Sequence, residues 1–209
     1  MAAIHEREAA ERFDATAREI FAPLYPVMAE RILSECGRRA GNCLDIGCGS
    51  GWLGMAVAHQ SGMELTFCDA SAVMLEIASG HIETAGLALR SHCVVGDVHD
   101  LPFPDASFDL VVSRGSFPFW ENPEKAAAEI FRVLSPGGEA FIGGGFGNAE
   151  IQKEIMKKMR ERDPAWQERV RSNSVPRAIQ RLIEGAFELP GARVAVTRDE
   201  RGFMTRFGR

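Results

Sequence analysis

The stretch from Cys43 to Gly54, CLDIGCGSGWLG, joins a short apolar run to a helical pattern through closely spaced glycines. The apolar residues before the glycines are typical of a buried strand, and the pattern after them is typical of a helix. A helix that follows a buried strand is the usual start of a crossover connection, which brings the next strand back parallel to the first. The stretch therefore predicts a parallel sheet with a glycine turn at the carboxyl end of one strand.

The same alternation continues along the chain. Apolar runs predict strands at 42–46, 64–68, 91–95, 108–113 and 139–143, and helical patterns lie at about 51–60, 71–85 and 123–134. In the last of these helices, Asn122 and Pro123 predict the start and Pro136-Gly137-Gly138 predicts the end. Strands that alternate with helices indicate an α/β fold, whose parallel sheet is covered on both faces.

The two ends of the chain have different patterns. Residues 5–36 predict two helices that are broken near Pro23 and Pro26, and their apolar face consists of Phe13, Ala17, Ile20 and Phe21. At the other end, helical patterns at 149–162 and 174–187 precede RVAVTR, a polar turn at Asp199-Glu200, and GFMTRF. The last segments predict an antiparallel hairpin that closes the sheet.

The composition is that of one globular domain. The chain has 209 residues, of which 45% are hydrophobic and 25% are charged. It has no apolar run of about 18 residues, and its N-terminal MAAIHEREAAERF is unlike a signal peptide, so we expect a cytoplasmic protein without a membrane span. Five cysteines without a C-x-x-C pair predict reduced thiols and no metal site.

The glycine turn fits two ligand-binding patterns. GSGWLG matches G-x-G-x-x-G, the dinucleotide fingerprint, whereas DIGCGSG matches D-x-G-x-G-x-G, the loop that holds S-adenosylmethionine. The first pattern begins two residues after Gly47, where the glycines start at the end of the predicted strand. The carboxylate of Asp45 would repel a pyrophosphate, whereas it suits the ammonium of an amino-acid ligand. These residues favour S-adenosylmethionine.

Acidic residues follow the next two predicted strands. Asp69, which ends ELTFCD, is placed to accept hydrogen bonds from two ribose hydroxyls of either kind of ligand. Asp97 precedes Val98 in VVGDVHDLPF, and this pair suits an adenine, because the carboxylate can bind the exocyclic amine while the valine packs on the ring. A dinucleotide site does not require such a pair.

These segments occur in the order of a known family's motifs. CLDIGCGSG, TFCDAS, VVGDVHDLPFPDASFDLVVS and RVLSPGG resemble the motifs of class I S-adenosylmethionine-dependent methyltransferases over about residues 41–145. The later part resembles the small-molecule branch, which includes ubiquinone- and menaquinone-biosynthesis methyltransferases. The resemblance implies a Rossmann-like, seven-stranded, mostly parallel sheet with helices on both faces and an antiparallel strand from the C-terminal hairpin.

On this basis we divide a single methyltransferase domain, residues 1–209, into four parts. They are an N-terminal helical lid (1–40), a cofactor-binding core (41–148), a helical cap insert (149–190) and a closing hairpin (191–209).

The resemblance implies methyl transfer from S-adenosylmethionine to a small-molecule acceptor, with S-adenosylhomocysteine as the product. A non-catalytic module that binds S-adenosylmethionine and a nicotinamide-dependent oxidoreductase are the alternatives. No nucleic-acid partner is expected, because residues 1–152 contain 10 Lys+Arg against 21 Asp+Glu. We expect a monomer or a homodimer.

The expected cofactor contacts lie mainly where the predicted strands end. The three glycines of the turn are expected to let the backbone approach the methionine part of the cofactor, where a Cβ would intrude. Met74 is expected either to touch the adenine or to pack in the core. The full set is Asp45, Gly47, Gly49, Gly51, Asp69, Ala70, Met74, Asp97, Val98 and Ser113.

The acceptor is expected beside SRGSFPFW, residues 113–120, after the fourth strand. Arg114 is unusual beside a sulfonium, so it requires either a carboxylate partner, such as Asp45 or Asp97, or an anionic acceptor. Aromatic residues of the segment could form an apolar wall for the acceptor or pack in the core. The candidate acceptor residues are Tyr25, Arg114, Phe119 and Trp120, with Phe117 as a further part of the wall.

No catalytic residue is singled out. His99 could act as a base or could have a structural role in its loop, and Asp109 is expected to be structural. GGGFGN, residues 143–148, is expected to pass close either to a ligand or to the chain beneath it. Residues 153–181 contain 9 Lys+Arg against 4 Asp+Glu, which indicates a solvated helix face or a surface that steers an anionic acceptor.

Overall fold

One mixed sheet organises the computed structural model, which describes residues 2–165, 175–199 and 202–209. Its strands are β1 (Asn42–Ile46), β2 (Glu64–Asp69), β3 (Ser91–Val95), β4 (Phe108–Arg114), β5 (Leu134–Gly145), β6 (Arg193–Asp199) and β7 (Gly202–Gly208). Their order across the sheet is β3-β2-β1-β4-β5-β7-β6. Strands β1 to β5 are parallel, and β7 is antiparallel to both β5 and β6. The predicted fold class is confirmed.

Helices cover both faces of this sheet. They are α1 (Ala2–Thr16), α2 (Leu24–Cys36), α3 (Trp52–His59), α4 (Ala72–Thr84), α5 (Pro123–Val133), α6 (Ala149–Arg162) and α7 (Val175–Glu188). A π-helical turn (Ala17–Phe21) continues α1, and short 3₁₀ turns lie at Ala88–Arg90 and Phe117–Phe119. Within the described ranges, no helix has both the length and the apolar character that crossing a membrane requires.

Alternate residues of the strands enter two apolar cores, one on each face of the sheet. In β4, Leu110 and Val112 pack into the core that includes residues of α2, α3 and α4, whereas Val111 packs into the core beneath α5 and α7. All three side chains are fully buried. Because both faces are covered, the central strands are continuous apolar runs in the sequence, which is why their positions were predictable.

The end of α5 differs from its prediction. Asn122 caps the helix as predicted, since its side chain accepts a hydrogen bond from the Lys125 N–H, but the helix ends at Val133. Leu134 is already extended and pairs with Phe108 as the first residue of β5. The register between β4 and β5 then shifts, so Pro136-Gly137-Gly138 lies at an irregularity inside a strand and does not end the helix.

The N-terminal helices also differ in detail. They separate at Pro23, whereas Pro26 lies in the first turn of α2, where a missing N–H removes no intrahelical hydrogen bond. Ala17 and Ile20 of the predicted apolar face are buried, but Phe13 is 55% exposed. Two predicted positions, residue 174 at a helix start and Glu200 in the hairpin turn, lie outside the described residues.

The strand order places a crevice at one edge of the sheet. From β1 the chain proceeds to β2 and β3 on one side, and β4 and β5 lie on the other side. At such a reversal the connections leave in opposite directions, and the carboxyl ends of the strands face an open crevice where ligands bind in α/β folds.

Candidate functional site

A cavity of about 760 Å³ lies at the carboxyl ends of β1, β2, β3 and β4. This volume is within the range of about 300–1,000 Å³ that is typical of small-molecule sites. Helix α1 lies across the cavity and contributes Phe13, which explains why this residue is not in the core. The cavity is lined by Glu6, Ala9, Ala10, Phe13, Ile46, Gly47, Gly49, Asp69, Ala70, Ser71, Met74, Gly96, Asp97, Val98, His99, Arg114, Gly115, Ser116, Phe119, Trp120 and Glu121.

The glycine turn lies at the centre of this cavity and requires glycine for two reasons. Gly47, Gly49 and Gly51 have φ values of +59°, +54° and +85°, which side-chain-bearing residues rarely adopt. A Cβ on Gly47 would lie 2.5 Å from the Cβ of Ser116, and one on Gly49 would lie 3.1 Å from the Phe13 ring. Gly47 and Gly49 line the cavity, whereas Gly51 is buried and precedes α3.

Asp69 connects the end of β2 to the glycine turn. Its Oδ2 accepts a hydrogen bond from the Gly49 N–H (2.8 Å), and its Oδ1 accepts one from the Ser71 N–H (2.9 Å). An ionised carboxylate has about four lone-pair positions, so two acceptor positions remain for a ligand. Asp69 lines the cavity together with Ala70 and Met74.

Asp97 and Val98 lie at the same end of the cavity, and His99 holds Asp97 in place. Asp97 Oδ1 accepts hydrogen bonds from the His99 backbone N–H (2.9 Å) and from His99 Nδ1 (2.6 Å), and these hydrogen bonds lower the pKa of Asp97. His99 Nε2 accepts from the Asn122 N–H at 3.2 Å. Both ring nitrogens of His99 are therefore engaged in hydrogen bonds within the chain, which favours the structural role over that of a base.

Asp45 does not line the cavity. It is buried beneath the glycine turn, and its Oδ2 accepts a hydrogen bond from the Gly54 N–H (2.8 Å). Burial, together with the charge of Asp69, raises the pKa of Asp45 to about 7. A Cβ on Gly54 would lie 2.4 Å from the Phe67 ring, so this glycine is required by the packing of α3 on β2. The last glycine of the GSGWLG pattern is therefore explained by packing, and no bound dinucleotide is needed to explain it.

Two serines connect β1 and β4 beneath the turn. Ser113 Oγ donates to the Ile46 carbonyl at 2.7 Å and lies 2.5 Å from Ser116 Oγ. Ser113 is buried and does not line the cavity, whereas Ser116 does. The sequence analysis did not include Ser116 among the candidate site residues. Its position three residues after Ser113, in the turn that follows the strand, was the signal that could have indicated it.

Arg114 lines the cavity and contacts the lid. Its Nη2 donates to the Gly145 carbonyl at 3.1 Å, and its guanidinium carbon lies 5.1 Å from the Phe21 ring centroid and 5.7 Å from that of Tyr25. Burial raises the pKa of Tyr25. Tyr25 itself lines a different, largely apolar cavity of about 440 Å³, where it stacks on Trp52, so it reaches the main cavity only through Arg114.

The predicted aromatic wall divides into two parts. Phe117 is buried and its ring centroid lies 5.8 Å from that of Phe203, so it belongs to the core. Phe119 is 84% exposed, Trp120 is 9% exposed, and both line the cavity. The wall available to a ligand therefore consists of these last two residues.

A polar contact that the sequence did not indicate holds the lid on the core. Asp14 of α1 is buried, and its Oδ1 lies 3.0 Å from both Trp52 Nε1 and His81 Nε2. Burial alone would raise the pKa of Asp14, but the nearby Ser50 hydroxyl and the contacts with Trp52 and His81 outweigh it and lower the pKa. No local pattern could reveal this contact, because its members come from α1, α3 and α4.

Other residues singled out in the sequence lie away from the cavity. Asp109 is at the opposite end of β4, where its Oδ2 accepts from the Asn42 N–H. Gly143 pairs with Met204, and a Cβ on it would lie 2.2 Å from the Phe203 carbonyl oxygen. The start of the GGGFGN segment is therefore required by the neighbouring strand.

Described residues of the basic segment 153–181 form ion pairs. Lys158 pairs with Glu154 (2.6 Å), Arg162 with Glu19 (2.8 Å), and Arg181 with Glu124 (2.6 Å). These pairs favour the solvated helix face. Residues 166–174 of the segment lie outside the described part of the chain.

Comparison with known proteins gives consistent matches. A family model described as a methyltransferase domain matches residues 44–142. A crystal structure from Methanococcus maripaludis, assigned to the S-adenosyl-L-methionine-dependent methyltransferases, is 38% identical, covers 97% of this chain and 93% of that one, and has a TM-score of 0.91. The [4+2]-cyclase SpnF is 29% identical with a TM-score of 0.54, over 57% of this chain and 44% of that one.

Curated proteins match over shorter parts. Malonyl-[acyl-carrier protein] O-methyltransferase of Erwinia billingiae is 32% identical over 68% of this chain and 55% of that protein. Demethylmenaquinone methyltransferase of Thermus thermophilus is 36% identical over 47% of this chain and 44% of that protein. The chain spans between 25% and 55% of the length of the curated relatives that it matches.

Proposed function

The chain belongs to the S-adenosyl-L-methionine-dependent methyltransferases, and from this premise we propose that it transfers a methyl group from S-adenosylmethionine to a small-molecule acceptor. The observation that carries the proposal is the glycine turn between Asp69 and Ser116 at the switch point of the sheet. We further propose a cytoplasmic protein that acts as a monomer or a homodimer.

The described residues fit the cofactor chemically. Gly47 and Gly49 expose backbone where a Cβ would fill the space, as the methionine part of the ligand requires. Asp69 retains acceptor positions for the ribose hydroxyls, and Asp97 and Val98, which line the same cavity, would bind the edge and the face of the adenine. Asp45 would stabilise the ligand ammonium from beneath the turn through its charge.

Methyl transfer from S-adenosylmethionine requires few catalytic groups from the protein. When bound, S-adenosylmethionine supplies a methyl group on a sulfonium, so that an acceptor lone pair forms the new bond to carbon while the S–CH₃ electron pair returns to sulfur. The chain must align the acceptor and exclude water, and positioning alone supplies much of such an acceleration. Phe13 and Trp120 border the cavity on two sides and are placed to exclude water.

A second candidate is a member of the fold that binds the cofactor without methyl transfer. Two observations favour it: His99 has both nitrogens engaged, and the matched cyclase SpnF shows that relatives of this fold are not all named methyltransferases. An acceptor that arrives without a proton to lose would need no base, so the first observation is compatible with methyl transfer as well.

Two experiments test the proposal. The first is calorimetric titration with S-adenosylhomocysteine and with NAD. The second is incubation of the protein with labelled S-adenosylmethionine and fractionated metabolite pools. We expect micromolar binding of S-adenosylhomocysteine, no binding of NAD, and labelled product in at least one pool. Binding without product in any pool would favour the second candidate, and binding of NAD alone would restore the oxidoreductase.

A further inference from the structure

Arg114 is a cation in the candidate site whose charge the described residues do not balance. Its Nη2 makes one hydrogen bond, to the neutral Gly145 carbonyl, and its Nε is buried without a hydrogen-bond partner. No carboxylate of residues 2–165, 175–199 or 202–209 lies within 4.0 Å of the guanidinium. Burial accordingly lowers the pKa of Arg114, although a guanidinium stays protonated.

The two carboxylates expected from the sequence to neutralise Arg114 are engaged elsewhere. Asp45 accepts from the Gly54 N–H beneath the glycine turn, and Asp97 accepts two hydrogen bonds from His99. Tyr25 contacts the guanidinium through its ring face, but its raised pKa keeps its hydroxyl uncharged. Of the two explanations that the sequence left open, the described residues therefore supply no internal carboxylate partner, which favours an anionic acceptor.

A buried charge without a partner is costly, and proteins tolerate it mainly where a ligand supplies the partner. The rings of Phe21 and Tyr25 lie within about 6 Å of the guanidinium carbon, the range of cation–π contact. They orient the guanidinium but do not fill its N–H positions. The planar fork of an arginine matches the two oxygens of a carboxylate.

We propose that the acceptor carries a carboxylate and that Arg114 binds it on the side of the cavity next to β4. This inference rests on the proposed function and names the substrate class for the same site. A single negative charge is favoured over a phosphate dianion, because the lining also contains Glu6, Asp69, Asp97 and Glu121. Arg114 is thus an acceptor-binding residue.

The cofactor's own carboxylate is the competing source of the same charge. The expected cofactor contacts lie at the ends of β1, β2 and β3, at Gly47, Asp69 and Asp97. Arg114 ends β4, and its guanidinium reaches the Gly145 carbonyl on β5, in the opposite direction from the glycine turn. The position of the guanidinium therefore favours the acceptor.

Pairs of probes that differ in charge test this proposal on the full chain saturated with S-adenosylhomocysteine. The probes are benzoate, phenylacetate and indole-3-acetate, each compared with its neutral amide, and their dissociation constants are measured by nuclear magnetic resonance. We expect at least one acid to bind at least about tenfold more tightly than its amide, the size of effect that a hydrogen bond to a charged group gives.

Variants of Arg114 test whether this residue causes the preference for the acid over its amide. In Arg114→Gln the preference for the acid should disappear, and in Arg114→Lys part of it should remain. Arg31→Gln is the matched control, because it removes the same charge from an arginine that pairs with Glu35 outside the cavity and should leave the preference unchanged. If Arg114→Gln does not fold, the proposal is still tested by the comparison of each acid with its amide on the wild-type protein and by Arg114→Lys.

Three results would overturn the proposal: no acid that binds better than its amide, a preference that survives in Arg114→Gln, or loss of affinity for S-adenosylhomocysteine but not for 5′-methylthioadenosine in that variant. The third result would assign Arg114 to the cofactor carboxylate. Failure of the wild-type protein to bind S-adenosylhomocysteine would instead overturn the proposed function, so the two failures are distinguishable.

Discussion

The two ends of the cavity differ in how their charged groups are satisfied. At the first end, which follows β1, β2 and β3, Asp69 and Asp97 each accept two hydrogen bonds from neighbouring backbone or His99. At the other end, Arg114 makes a single hydrogen bond to the described part of the chain, and its buried Nε finds no partner there. The first end is preorganised by the chain itself, whereas the second is completed only by what it binds.

The difference follows from how each end is built. The residues of the first end come directly after strands, where backbone geometry fixes them, as the φ of +59° at Gly47 illustrates. The second end combines β4, the 3₁₀ turn that contains Phe119, and the lid residue Phe21. Loop residues can change without disturbing the strands, so this separation allows the second end to change while the first end keeps its geometry.

The largest effect should come from Gly47→Ala, which tests whether the first end depends on backbone geometry. The new Cβ would lie 2.5 Å from the Cβ of Ser116 at a φ that alanine disfavours. We expect affinity for S-adenosylhomocysteine to fall at least about a hundredfold, as a displacement of about 1 Å in a site can cause. Calorimetry measures this change.

Gly86→Ala is the control for Gly47→Ala. Gly86 also has a positive φ, +70°, but a Cβ there would meet nothing within 4 Å. The Gly86→Ala variant should lose about 1–2 kcal/mol of unfolding free energy and retain full affinity for S-adenosylhomocysteine. Equal losses of affinity in both variants would mean that stability, and not the geometry of the turn, controls binding.

A smaller effect is expected from Asp69→Asn, which removes the charge at the first end but keeps its shape. Hydrogen bonds to a charged group contribute about 1.5–3 kcal/mol, so affinity for S-adenosylmethionine should fall at least about tenfold while the protein remains folded. Glu83→Gln, an exposed change at the end of α4, should have no effect. Unchanged affinity in Asp69→Asn would remove this residue from the cofactor site.

Trp120→Ala tests the aromatic wall of the cavity. Trp120 is 9% exposed and lines the cavity, so its loss should weaken binding of the tightest acid probe by about tenfold, with affinity for S-adenosylhomocysteine nearly unchanged. Phe187→Ala, which removes a 65% exposed ring on α7, is the control. A parallel loss of cofactor affinity would mean that the two ends are not independent, and the acceptor would then be sought beneath Phe13.

The first end was also the one that the sequence predicted better. The strand at 42–46 and the glycine turn were located correctly, because buried strands and positive-φ turns leave local patterns in the sequence. Pro136-Gly137-Gly138 was misinterpreted as a helix end, since the same residues mark irregularities within strands.

Tertiary placement limited the prediction of the second end. The spacing of Phe13 showed an apolar helix face but not that α1 lies across the cavity. Asp14 gave no local signal, because its partners Trp52 and His81 are distant in the sequence. For Arg114 the sequence indicated a cation that needs either a carboxylate partner in the chain or an anionic acceptor. Only the positions of the surrounding carboxylates in the structure could distinguish these two possibilities.

The smallest expected effect concerns pH and returns to the first end, where the carboxylate of Asp45 is buried beneath the glycine turn. Burial raises the pKa of Asp45 to about 7, and the charge of Asp69 adds to the shift. A ligand ammonium above the glycine turn would stabilise ionised Asp45, so binding should release a proton. Affinity for S-adenosylhomocysteine should therefore rise by up to about tenfold between about pH 6 and about pH 8.

Calorimetry near neutral pH in two buffers of different ionisation enthalpy measures the released proton directly, and Asp45→Asn should abolish both the release and the pH dependence. Without ligand the sign is opposite. Because the folded pKa of Asp45 is above its unfolded value, the free energy of unfolding should decrease as the pH rises from about 4 to about 7, and Asp45→Asn should flatten this slope. If the slope flattens but the affinity of the wild-type protein does not depend on pH, Asp45 supports α3 through Gly54 and contributes nothing to the ammonium.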